Sequence, residues 1–238
     1  MPYETTEVTP ARIYLQPVAA PSILGLFGFA AAMFMIAANM THWYGTASSG
    51  LYLTPFVVLF GGLAQFLAGM WAFKARDGLA TAVHCLWGSF FIGYGILNLM
   101  LARAGTIIPT GGFPEYGFWF VVAAAITWVC AWAALAENLS LFLTLAFLAL
   151  GSTLAAIARL SGVMGDLHLA AGYALIVSSV IGYYTATAMM LAEVYGHEVL
   201  SVGKMRRAVT EPSISMGTGE PGVVRGQNLN LAPQTSMR

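Results

Sequence analysis

An amide set in hydrocarbon is the side chain of this sequence whose type and surroundings point most directly to chemistry. In FGGLAQFLAGMWAF, residues 60–73, Gln65 stands among glycines, alanines and large apolar residues. A primary amide donates two hydrogen bonds and accepts others, and burying it unpaired costs free energy. Gly61, Gln65 and Gly69 recur at i, i+4 and i+8, with Gly62 beside them. On a helix this spacing leaves one face nearly bare except for the amide. Small residues at such spacing let a neighbouring helix approach closely. Two roles for Gln65 therefore stand on equal terms: a bond between helices, or a polar group facing a solute path.

Catalysis needs clustered acids, bases or nucleophiles, and the ionisable residues near the apolar segments stand apart: His84, Glu115, Glu137, Asp166, His168 and Glu193. The sequence is not that of an enzyme. His84 and His168 are expected at an interface, each bonded to a backbone carbonyl or a headgroup. Glu193 lies three residues before Gly196 and is expected at the surface. Cys85 and Cys130 have neither metal-site spacing nor an oxidising setting and are expected to be packing residues. With no Walker-type loop, no nucleotide, metal or other cofactor is expected. Asn98, Thr127, Ser152, Thr153, Ser178, Ser179, Tyr183 and Tyr184 also fall inside apolar segments. Singly these are packing residues, since Ser and Thr bond their own helix. Together, Asn98, Thr127 and Tyr184, with Gly61 and Gly69, can line a narrow conduit. No Lys or Arg stands mid-segment, so an anion there relies on amides, hydroxyls and helix N-terminal dipoles. This favours weakly held monocarboxylates, protonated acids or small neutral molecules.

The elements that must position these groups follow from composition. Of 238 residues, 58% are hydrophobic and 8% charged, with a mean hydropathy of +0.75. So few charges exclude an ordinary soluble domain. Six apolar segments, 22–40, 54–73, 79–102, 118–136, 141–158 and 167–195, each lack Lys and Arg. Continuous apolar runs of about 18 residues or more cross a hydrocarbon core as helices, whereas barrel strands alternate. The expected fold is an all-α integral membrane protein of six transmembrane helices, with a ring-shaped homo-oligomer as the expected assembly, packed through Gly- and Ala-rich faces.

An even number of spans puts both termini on one side. Arg12, Lys74, Arg76, Lys204, Arg206, Arg207, Arg225 and Arg238 go with them, against Arg103 and Arg159 on the other. The positive-inside rule then places both termini in the cytoplasm and the protein in the cytoplasmic membrane. The zero net charge gives no support to nucleic-acid binding. Residues 1–21 are polar and acidic, unlike a cleaved signal peptide, and form an expected N-terminal segment. The membrane domain is expected over 22–202. Residues 203–238, rich in Gly, Pro and Ser, are expected to be a disordered cytoplasmic tail.

APSILGLFGFA (20–30), LFGGLAQFLAGMWAFK (59–74), WGSFF (87–91), GYALIVSSVIGYYTATAMMLAE (172–193) and YGHEVLSVG (195–203) occur in that order. Together they resemble the acetate uptake transporter family, also called the succinate-acetate permease or GPR1/FUN34/YaaH family, over roughly residues 20–203. The resemblance implies a hexamer whose protomers each carry a path for acetate or a related small carboxylate. It also implies that Gln65 contacts the solute, and that Phe29, Trp87 and Leu148 form a hydrophobic constriction, with Leu148 the loosest match.

Two positions depart from the family pattern. Asn-Pro-Ala-Pro-Leu-Gly-Leu is replaced by Ala20-Pro21-Ser22-Ile23-Leu24-Gly25-Leu26, which loses an amide and a proline and gains the hydroxyl of Ser22 as a solute contact. The family's common glutamate is Ala72 here. The resemblance implies a channel or transporter for acetate or a related monocarboxylate, open to proton coupling. A channel for urea, short amides or ammonia, and a non-conducting sensor or scaffold acting through its tail, are the alternatives.

Overall fold

The structure, a computed structural model, describes residues 18–46, 48–105 and 113–204. Residues 1–17 and 205–238, most of the expected terminal segments, lie outside the described residues. Helix α1 spans Pro21–Met40, α2 Ser49–Phe56, α3 Gln65–Ala75, α4 Gly78–Arg103, α5 Pro114–Ala134, α6 Leu139–Ser161 and α7 Gly165–Tyr195. A π-helical segment, Val57–Ala64, joins α2 to α3, so Ser49–Ala75 runs as one span. Among the described residues six helices are thus long and apolar enough to cross a membrane.

Local chemistry sets the helix ends. Pro21 and Pro114 sit in the first turns of α1 and α5, where a missing N–H is tolerated. Asp77 accepts a hydrogen bond from the Ala80 amide at 2.8 Å and caps α4; Asn138 does the same from Leu141 at 2.8 Å and caps α6. Gly162 and Gly196, in the left-handed region at φ 72°, close α6 and α7.

The spans neighbour one another in chain order and close on themselves. The second span lies between α1 and α4, α4 meets α5, α6 lies between α5 and α7, and α7 returns to α1. An apolar core with contributions from Phe29, Met33, Trp87, Phe91, Phe120, Leu148 and Leu175 fills the middle. Large apolar side chains such as Phe60, Trp71, Val129, Trp132 and Val180 remain exposed outside, the arrangement a bilayer requires.

Alternation of the spans gives the bundle two ends. The proximal end carries the start of α1 and the end of α7; the distal end carries residues 41–46, 104–105 and 162–164. At the proximal end, the chain after α7 folds back on the α5–α6 turn. Leu139 and Ser140 amides donate to the Gly203 and Val202 carbonyls, both at 3.0 Å, and Tyr184 donates to the Ser201 carbonyl at 2.7 Å. Gly203 and Lys204, where the tail is expected to begin, are thereby placed on the bundle.

Candidate functional site

Gln65 is fully buried, with 0% exposure, and neither its Oε1 nor its Nε2 has a hydrogen-bond partner among the described residues. It follows an unusual turn. Pro55 lies inside α2, where its ring removes a donor and crowds the carbonyl four residues back. The π-helical segment then carries the Gly61-Gly62 pair and ends immediately before Gln65. Such turns are rare and concentrate at functional sites.

The surrounding glycines are points of helix crossing. A methyl added at Gly28 of α1 would strike the Phe60 carbonyl oxygen, and one at Gly61 would overlap Ala32 and come within 2.7 Å of the Phe91 ring. One at Gly69 would lie 2.6 Å from Cys85 Sγ. Gly61 and Gly69, expected to line a conduit, are instead filled by neighbouring helices; they allow the close approach that buries the amide.

Phe29, Trp87 and Leu148 come from α1, α4 and α6 and meet in one apolar cluster, each 1–2% exposed. The Phe29 ring lies 3.3 Å from where a Gly182 Cβ would stand, and the Thr144 methyl, one turn before Leu148, lies at the same distance. Trp87 packs edge-on against Phe90 at 5.2 Å. Its indole N–H donates to Thr127 Oγ1 at 3.2 Å, and Thr127 donates in turn to the Ala123 carbonyl at 2.6 Å. Thr127, expected on the conduit wall, stands behind the tryptophan and fixes its orientation. A methyl built on Gly88, next to Trp87, would lie 2.7 Å from the amide nitrogen of Phe66, next to Gln65. The amide and this apolar cluster therefore neighbour one another, both closed against solvent.

Ser22, Gly25 and Phe29 follow one another along one face of α1, and Ser22 is half-buried near the proximal end. His84 departs from its expected interfacial position. It is 2% exposed, its ring fills the space beside the Cα of Gly25, and its Nδ1 has no hydrogen-bond partner among the described residues. Two turns of α4 precede it, which carries it below the surface. Glu193 is exposed, as its nearness to Gly196 implied. Tyr184 lies outside the cluster: it is 39% exposed and held to the fold-back segment.

Asn98 belongs to a second feature. A cavity of about 1210 Å³ at the distal end is lined by Asn39, His42, Tyr94, Asn98, Tyr116, Arg159 and His168 among apolar side chains. Met33, Phe90 and Leu175 also line it. Met33 lies one turn beyond Phe29 and Phe90 one turn beyond Trp87, so the cavity lining comes within a helical turn of the apolar cluster.

The sequence profile of the GPR1/FUN34/yaaH family matches residues 4–206. The chain belongs to this family. One relative, ammonia transport outward protein 3 of Saccharomyces cerevisiae, is 28% identical over 169 residues, 70% of this chain. That alignment spans 61% of the yeast protein's length. Among solved structures, that of the bacterial acetate channel SatP superposes with a TM-score of 0.71 at 22% identity, over 79% of this chain and all of that one. The six-span fold of the family is thus present here.

Within this family fold, Gln65 neighbours the cluster of Phe29, Trp87 and Leu148, while Ser22 lies farther along α1 and Tyr184 outside. Sequence reasoning missed the Trp87–Thr127 hydrogen bond, since a pair forty positions apart leaves no local pattern. It also missed the π-helical segment and the meeting of Arg159 with His168. Pro55 before a glycine pair was the available signal for the first. For the second, Arg159 is one of two basic residues assigned to the distal side.

Proposed function

We propose that this protein conducts or transports acetate or a related small monocarboxylate across the cytoplasmic membrane, with both termini in the cytoplasm. The solute passes between the distal cavity and the proximal end through each protomer. Gln65 offers hydrogen bonds at the closed constriction of Phe29, Trp87 and Leu148, and Ser22 offers a hydroxyl farther on. The observation that carries this reading is the fully buried Gln65 amide, with no hydrogen-bond partner among the described residues, next to the apolar cluster of Phe29, Trp87 and Leu148. A buried amide left unpaired costs about 1–3 kcal/mol, and a carboxylate or carboxylic acid in transit is a suitable partner. The family's hexameric ring is the proposed assembly, and protonated acid or proton symport is the form of transport that an apolar constriction favours. The relative described as an acetate channel supports this reading.

A second reading, passage of ammonia or another small neutral solute, is favoured by the apolar walls of the constriction and by the name of the yeast relative. Uptake of labelled acetate into proteoliposomes, with and without an inward proton gradient, tests the first reading against Gln65→Ala. Acetate flux no greater than in empty liposomes sinks it. Alkalinisation by ammonia across the same vesicles, in place of acetate flux, selects the second.

A further inference from the structure

Three polar side chains with unpartnered buried atoms line the distal cavity: Asn98 through Nδ2 and Oδ1, Arg159 through Nε and His168 through Nδ1. Asn98 is 4% exposed. Tyr94 stands beside it, its hydroxyl and Asn98 Oδ1 both within 3.6 Å of a methyl built on Gly50, a polar neighbour without full hydrogen-bond geometry.

Arg159 sits in the last turn of α6, where a cation suits the carbonyl end of the helix. Its Nη1 donates to the Ala155 carbonyl at 3.2 Å, and its guanidinium lies 4.9 Å from the centres of both the Tyr116 and Phe120 rings. These contacts hold the cation in place without neutralising it. Among the described residues no carboxylate forms an ion pair with it. His168 and His42 face the same space and lie within electrostatic reach, His168 of both Arg159 and His42. The acidic residues of this end, Glu115 and Asp166, are exposed and line no part of the cavity. The field inside is therefore positive, and low-dielectric walls focus it.

We infer that this cavity is an anion-capture site, in which Arg159, His168 and Asn98 hold the carboxylate of a short-chain monocarboxylate at the mouth of the path. The inference rests on the transport reading above and adds the site that admits its solute. Arg159 presents the charge, His168 and Asn98 supply hydrogen-bonding atoms, and Met33, Ile36 and Leu97 offer apolar surface to a short alkyl tail. The floor of Met33, Phe90 and Leu175 then passes the solute toward Phe29 and Trp87.

Equilibrium binding of ¹³C-acetate and ¹³C-acetamide to the full chain in lipid nanodiscs, followed by NMR, separates charge recognition from simple filling of the cavity. The wild type is expected to hold acetate in preference to its neutral isostere. Arg159→Gln is expected to weaken acetate about tenfold or more, the loss of one charge-assisted contact, and to abolish the preference. Arg159→Lys is expected to keep it. Equal binding of acetate and acetamide by the wild type, or wild-type acetate binding by Arg159→Gln, overturns the inference. Should Arg159→Gln fail to assemble, His168→Gln combined with Asn98→Leu carries the same comparison, and undiminished acetate binding overturns it equally. A difference between wild type and Arg159→Gln that vanishes in a Gln65→Leu background assigns the acetate to the central amide and overturns it as well. Charge-selective binding without any flux supports capture while removing the transport reading.

Discussion

Replacing Gln65 by leucine separates the two roles open to this amide, because they predict opposite signs for stability. In the structure the side chain is fully buried and neither amide atom has a hydrogen-bond partner among the described residues. Leucine of similar size removes the unpaired polar atoms, which should stabilise the fold by about 1–3 kcal/mol. For a chain of this size that is on the order of 5 °C in melting temperature. The same change removes the hydrogen bonds offered to the solute. One bond to a carboxylate, worth about 1.5–3 kcal/mol, corresponds to a flux lower by roughly tenfold or more. Tryptophan fluorescence during heating in detergent reads the first quantity, and labelled acetate uptake into proteoliposomes reads the second. A melting temperature several degrees lower would show that the amide holds helices together. A higher melting temperature with undiminished flux would place it off the path.

Thr127→Val strands the Trp87 indole N–H in an apolar cluster and should cost about 1–3 kcal/mol, read as a lower melting temperature with altered tryptophan fluorescence. Gly28→Ala drives a methyl into the Phe60 carbonyl oxygen and should cost about 3 kcal/mol, whereas Gly93→Ala, with open space around its Cα, should gain about 0.5–1 kcal/mol; denaturation in detergent compares them. The hydrogen bond and charge of Lys204, 3.0 Å away, hold the Glu198 carboxyl below its ordinary value. A lowered carboxyl pKa makes this contact fully stabilising above the ordinary value and loses it as pH falls through the lowered one. The protection of the amides across residues 198–204, taken as the exchange rate relative to the intrinsic rate at each pH, should therefore fall in acid in the wild type and lose that dependence in Glu198→Gln.

The sequence by itself determined six membrane helices, because long apolar runs without Lys or Arg have no other stable form in lipid. It also singled out Gln65, since an amide among glycines is conspicuous against hydrocarbon. Motifs carried Phe29 and Trp87 as a pair, but only tertiary packing gathers both with Leu148 into one buried apolar cluster. Side-chain type does not reveal which face of a helix looks inward when every face is apolar. For the same reason Gly61 and Gly69 read as a bare wall, whereas in the fold Ala32, Phe91 and Cys85 occupy the space they leave. His84 read as interfacial from its nearness to a span end, yet two helical turns and the missing side chain of Gly25 carry it inside. Arg159 read as one of two weak topological signals. Only the fold sets it beside His168 and Asn98, because residues sixty positions apart share a cavity when α4, α6 and α7 meet at one end of the bundle.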